Sequence, residues 1–157
     1  MKRRQFIRLL ASAAAAWPLA SRAQQPGKIA RIGYLDLNSG PVPSTEGFLR
    51  GLRELGYVEG QNLIILYRWA AGRKDRLGDW TSELLQLKID VFVSSSTEAV
   101  MAIQSVSKTI PIVMVGTSDP IGNSLVSSFA RPGGNTTGVT LFSTELAGKR
   151  LELLKEV

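Results

Sequence analysis

The sequence predicts an α/β fold: an open, mostly parallel sheet with helices on both faces. Two observations carry this. Short apolar runs alternate with longer segments whose apolar residues recur every three or four positions, the pattern of strands joined by crossover helices. The strand-to-helix junctions are polar and rich in small residues, as suits the carboxyl edge of such a sheet.

Taken in order, Ile29–Leu35 is compact and apolar and predicts a buried first strand. Ser44 is the expected N-cap of a first helix with Phe48, Leu49, Leu52 and Leu55 on one face, and Gly56 follows where a C′ glycine belongs. Asn62–Trp69, rich in branched and aromatic residues, predicts the second strand. Asp75–Leu87 predicts a helix with Leu77, Trp80, Leu84 and Leu87 inward, and Val91–Val93 a short third strand. Thr97 is the expected cap of a helix carrying Val100, Ile103 and Val106. Ile112–Val115 predicts the fourth strand, with Pro111 just ahead of it. A shorter helix is expected over 122–129, stopped by Arg131-Pro132-Gly133-Gly134, then a fifth strand over Thr136–Leu141. Ser143 or Thr144 opens a last helix, still periodic in Leu146, Arg150, Leu153 and Leu154 when the chain stops at Val157 without cap or breaker. The expectation is therefore a lobe over 29–142, with 143–157 the start of a crossover helix toward a second lobe.

The leader stands apart. Lys2, Arg3 and Arg4 precede an alanine-rich apolar stretch, and Ser21-Arg22-Ala23 places small residues at the −3 and −1 positions of a signal-peptidase site. The apolar stretch falls short of the ~20 residues a membrane-spanning helix needs. Arg3-Arg4-Gln5-Phe6-Ile7 looks like a twin-arginine export signal, with Arg8 where lysine is commoner. Residues 1–23 are thus expected to be a cleaved export signal and 24–28 a polar leader, leaving the mature chain in the periplasm.

Charge changes meaning once the leader is removed. The chain carries 19 Lys and Arg against 13 Asp and Glu, a net +6, but five of those cations and no acid lie in residues 1–23. The remainder holds 14 against 13, a net of +1, so the basic balance belongs to the leader and argues against a nucleic-acid surface. Cysteine is absent, so there are no disulfides and no lipidated-cysteine anchor, and histidine is absent too.

Three loops converge on the carboxyl edge. Asp36-Leu37-Asn38-Ser39-Gly40-Pro41 follows the first strand, Ser94-Ser95-Ser96-Thr97-Glu98 the third, and Gly116-Thr117-Ser118-Asp119-Pro120-Ile121-Gly122 the fourth. Hydroxyls and free N–H groups at a helix N-terminus suit a ligand carboxylate, and Asp119 suits a ligand ammonium. Singly, these residue types are ordinary caps and turn formers; their convergence is what points to a site. Catalytic sets are lacking: no histidine can partner a serine nucleophile, no Cys/His cluster can hold zinc, and Gly33-Tyr34-Leu35-Asp36-Leu37-Asn38 does not match G-x-G-x-x-G. The sequence thus predicts neither enzyme, cofactor nor metal.

The order of motifs resembles the ABC-transporter substrate-binding proteins of the tryptophan/tyrosine-binding-like group. Ile32-Gly33-Tyr34-Leu35, Gly51-Leu52-Arg53-Glu54-Leu55-Gly56-Tyr57-Val58-Glu59-Gly60-Gln61-Asn62 and Tyr67-Arg68-Trp69-Ala70 carry it. So do Thr109-Ile110-Pro111-Ile112-Val113, Ser118-Asp119-Pro120-Ile121-Gly122, Phe129-Ala130-Arg131-Pro132-Gly133-Gly134-Asn135-Thr136-Thr137-Gly138 and Lys149-Arg150-Leu151-Glu152-Leu153-Leu154-Lys155. The resemblance implies the Rossmann-like first lobe of a type I periplasmic binding protein, with the second lobe absent. It also implies a monomer that hands an amino acid or related carboxylate to an inner-membrane ABC permease. Carried over by position, it places the ligand loops on Asn38 and Ser39, on Ser95, Ser96 and Thr97, and on Thr117 and Asp119. The Ser95-Ser96-Thr97-Glu98 turn departs from the glycine- or proline-containing turn of many members, so it does not identify the ligand. Two other readings stay open: a periplasmic sensor feeding a membrane kinase, and a non-functional gene fragment.

Overall fold

The computed structural model describes residues 29–141 and 151–155. Strands β1 (Ala30–Asp36), β2 (Leu63–Trp69), β3 (Val91–Ser94), β4 (Ile112–Ser118) and β5 (Thr136–Leu141) alternate with helices α1 (Pro43–Glu54), α2 (Leu77–Gln86) and α3 (Thr97–Val106), and a 3-10 turn at Lys74–Arg76 leads into α2. The five strands form one sheet in the order β2-β1-β3-β4-β5, every pair parallel. The α/β class and the parallel sheet therefore stand as the sequence predicts. From β1 the chain winds first to β2, then crosses back to β3 on the other side, so the winding reverses between β1 and β3. In open parallel sheets that reversal opens a crevice at the carboxyl ends of the two strands.

Alternation along each strand divides the core between the two faces. Ile32 and Tyr34 of β1 join Leu63, Ile65 and Val93 beneath Phe48, Leu49 and Leu52 of α1. Leu35, Phe92, Ile112 and Met114 face the other way, against Leu77, Leu84, Val100 and Ile103 of α2 and α3. Tyr34, fully buried, is ringed by Phe48, Tyr67 and Trp69 at centroid distances of 6.3, 5.8 and 5.2 Å. Its hydroxyl lies 2.9 Å from Thr45 Oγ1 on α1, which ties that helix to the centre of the sheet.

Several local expectations are corrected. Helix α1 begins at Pro43 with Val42 as N-cap, not at Ser44. Proline suits the first helical position, where no N–H is needed, and Val42 N–H donates to the buried Thr45 hydroxyl at 3.2 Å. Ser96, not Thr97, caps α3: its Oγ accepts from Ala99 N–H at 3.2 Å. Leu55, Leu87 and Val106, expected to face inward, are exposed at the helix ends. No helix forms over 122–129, which is a run of turns. Ser124 takes positive φ (57°), inside the stretch and outside the right-handed helical region, and Asp119 ahead of it (φ 39°) accepts from Gly122 N–H through Oδ1 at 2.8 Å, closing a turn. The expected export signal (1–23), polar leader (24–28) and the opening of the last helix lie outside the described residues; 151–155 are helical and exposed. No helix among the described residues is long and apolar enough to cross a membrane.

Candidate functional site

The crevice between β1 and β3 is an open cleft of about 530 Å³. Leu37, Asn38 and Ser39 line it from the β1 loop, and Ser95, Ser96, Thr97 and Glu98 from the β3 loop and first turn of α3. Gly72, after β2, and Ser118, at the end of β4, complete the wall.

Asp36, the last residue of β1, is the fixed point of this arrangement. It is wholly buried, and each carboxylate oxygen accepts twice. Oδ2 takes Ser95 N–H and Ser95 Oγ–H, both at 2.7 Å; Oδ1 takes Asn38 N–H at 3.1 Å and Asn38 Nδ2–H at 2.6 Å. A buried carboxylate without such partners would be costly. Here four neutral donors satisfy it and lock the β1 and β3 loops to one another. Its charge also helps burial hold the Tyr34 hydroxyl above its ordinary value, burial being the larger cause.

The β2 loop docks on the same frame. Ala70 N–H donates to Asp36 O at 2.8 Å, Ala71 N–H to Asn38 O at 3.0 Å and Gly72 N–H to Leu37 O at 2.8 Å. Two residues on, Lys74 Nζ meets Glu98 Oε1 at 2.9 Å, bridging the β2 loop to the α3 N-terminus. The Lys74 hydrogen bond is the main reason the Glu98 carboxyl sits below the ordinary carboxylate value. Glu98 in the first turn of α3 also complements the helix dipole. Thr97 Oγ1 donates to Ser118 O at 3.5 Å, a long contact joining the β3 and β4 loops.

Of the residues singled out from the sequence, Asn38, Ser39, Ser95, Ser96 and Thr97 come together in the lining. Thr117 and Asp119 fall outside it. Thr117 is buried with its hydroxyl directed at Met114 Sδ, 3.3 Å away. Asp119 is exposed and turned back onto its own loop at Gly122. Sequence reasoning missed the clamp role of Asp36 and the β2 loop with Gly72 and Lys74. One signal for Asp36 was present: a carboxylate ending an otherwise apolar run has to find donors. Among the described residues no cluster of His, Cys, Asp or Glu could hold a metal ion.

Residues 40–157 match the family model of ABC transporter substrate binding proteins. A tyrosine-binding protein of Clostridioides difficile (strain R20291) is 32% identical over 110 residues, 70% of this chain and 31% of that protein. The ABC domain of Streptococcus pneumonia, solved in complex with L-Trp, superposes with a TM-score of 0.64 at 32% identity, over 71% of this chain and 38% of the other. The ligand-free, open structure of a Clostridium difficile substrate binding protein with adhesive properties gives a TM-score of 0.72 at 29% identity, over 82% of this chain and 43% of the other. The chain thus spans less than half the length of each of these relatives. Family model, sequence and fold agree, and the chain belongs to the ABC transporter substrate-binding protein family.

Proposed function

We propose that this chain is the N-terminal, ligand-binding lobe of a solute-binding protein serving an ABC importer, and that it takes an amino acid at the β1/β3 cleft. The observation that carries the reading is the Asp36 clamp: a buried carboxylate holds two polar loops in fixed register where the winding of the sheet reverses, where ligands of open α/β sheets bind. The amino-acid class is supported by the L-Trp complex and the tyrosine-binding relative. In this reading Asn38, Ser39, Ser95, Ser96 and Thr97 meet the ligand, while Thr117 and Asp119 shape the β4 loop behind it. The protein is a binder and not an enzyme; it is exported by its leader, closes on ligand by hinge motion with a second lobe, and delivers it to a membrane permease.

Titration of the isotope-labelled 157-residue chain with L-Trp and L-Tyr, followed by amide NMR, tests the site. Shifts confined to 37–39, 72 and 95–98 are expected, with weak affinity because one lobe cannot enclose the ligand. Shifts confined to 119–134, or none, would remove the reading.

A further inference from the structure

The loops of the cleft differ in what holds them. Asp36 is wholly buried and lies outside the lining of the cleft, so it has no surface to offer a ligand. Its side chain reaches the β3 loop through Ser95 N–H and Oγ–H, and the β1 loop through Asn38 N–H and Nδ2–H. The backbone then carries the connection to the β2 loop. Asp36 O, Leu37 O and Asn38 O accept from the N–H groups of Ala70, Gly72 and Ala71 respectively, at 2.8, 2.8 and 3.0 Å. Every one of these bonds is internal to the lobe, and none awaits a ligand. The β4 loop is held otherwise. Gly122 N–H donates to Asp119 Oδ1 and Asn123 Nδ2–H to Asp119 O, both at 2.8 Å, so that loop closes on itself. Its hydrogen bond to the β3 loop is the long 3.5 Å contact of Thr97 with Ser118.

We infer that Asp36 is a positioning residue for the ligand: without touching it, Asp36 joins the β1, β2 and β3 loops into one body that is formed before the ligand arrives, while the β4 loop moves separately. This rests on the amino-acid reading above. A site whose walls are already in place diverts none of the ligand's binding free energy to ordering them. A site that must be assembled loses affinity in proportion to the population of its assembled form. The carboxylate lets one side chain serve both loops, because each of its two oxygens accepts twice. Asparagine at this position has one acceptor oxygen. It serves the backbone N–H of Ser95 or that of Asn38, and turns its own N–H donors toward the other.

Amide hydrogen exchange on the ligand-free 157-residue chain, wild type and Asp36→Asn, tests this together with titration of both by L-Trp and L-Tyr. In the wild type the amides of Asn38, Gly72 and Ser95 should exchange at least about tenfold below unprotected rates, and as one opening unit. In Asp36→Asn these three should lose that protection, while Phe92 and Val93 in the core and Gly122 in the β4 loop keep theirs. L-Trp should bind the variant at least about tenfold more weakly, or 1.4 kcal/mol. A merely structural role would lower core protection as well. Loop amides that become protected only once L-Trp is added would overturn the inference, and so would a folded Asp36→Asn that binds with wild-type affinity. Either result leaves the amino-acid reading intact. Binding of neither amino acid to the wild type removes that reading and the positioning role with it, whatever the exchange pattern. Should Asp36→Asn not fold, wild-type exchange with and without L-Trp still decides, since protection ahead of the ligand is the claim.

Discussion

At the β2 edge of the sheet, Leu63 and Ile65 are buried beneath α1 and Arg68 reaches across to Glu83 on α2. At the β5 edge only Thr136 is buried, and Val139 and Leu141 stand 65% and 58% exposed. Polar stitching holds β5 instead. Gln104 Nε2 on α3 donates to Thr136 Oγ1 at 2.8 Å, Thr140 Oγ1 to Thr117 O at 2.7 Å, and Asn135 Nδ2 to Ile110 O at 2.6 Å. Parallel sheets normally carry helices over both faces; among the described residues the helices cover β2 to β4 and none packs on β5. The cleft lies on the covered side, where apolar packing fixes the strands whose loops form it. Ligand geometry and fold stability should therefore both be more sensitive to change at β1, β2 and β3 than at β5.

The sharpest test exchanges a methyl-bearing side chain at each edge. Ile65→Ala, at a site 6% exposed, should cost about 2–4 kcal/mol in urea unfolding, while Val139→Ala should stay within ~0.5 kcal/mol. Equal losses would show that β5 is covered in solution. Gly138→Ala cuts across the contrast. Gly138 has φ 141°, and a Cβ there would collide with the Met114 carbonyl oxygen and lie 2.6 Å from Met114 N. A cost of ~1–3 kcal/mol is expected even at this more exposed edge, because β5 tolerates changed side chains and not a displaced backbone. A Gly138→Ala chain that melts with the wild type would show that β4 and β5 separate at little cost.

The same contrast explains what was legible in the sequence. The strands β1 to β4 read plainly, because strands buried on both faces are continuous apolar runs, and Pro111 fixes where β4 begins. Helix starts were harder. Ser95, Ser96 and Thr97 can each cap a helix, and only the pairing of Ser95 with Asp36 across 59 positions leaves Ser96 the task. The helix expected over 122–129, ahead of the Arg131-Pro132-Gly133-Gly134 stop, does not form, because Asp119 and Ser124 in the left-handed region make the stretch irregular. For the site, five of the seven residues chosen from the sequence line the cleft. The clamp that organises them depends on β1 and β3 being neighbours, which no local pattern states.

The cover over β1 and β2 depends in turn on one buried polar contact. Thr45→Val keeps the shape of the side chain but removes the hydroxyl shared by Tyr34 OH and Val42 N–H. With Tyr34 fully buried, a loss of about 1–3 kcal/mol is expected in thermal unfolding, the cost of leaving buried groups unpaired. An unchanged melting temperature would mean that α1 is held by its apolar face alone.

The smallest effect distinguishes the two edges electrostatically. Arg68 Nε and Nη2 donate to Glu83 at 3.1 and 2.6 Å, with the side chains 28% and 45% exposed. At that exposure solvent screening limits the pair to under ~1 kcal/mol. The Arg68 hydrogen bonds hold the Glu83 carboxyl below its ordinary value of 4.5, against a smaller opposing effect of desolvation. A depressed carboxyl stabilises the folded state above its unfolded value and loses that contribution as pH falls through the folded one. The stability difference between wild type and Arg68→Gln should thus be largest near neutrality in low salt. It should shrink at pH values below 4.5 and in high salt. No ion pair among the described residues anchors β5, so the Val139→Ala difference should stay flat over the same range. If the Arg68→Gln difference also stays flat, the β2 edge is held by its burial under α1 alone, and the two edges differ in apolar cover rather than in charge.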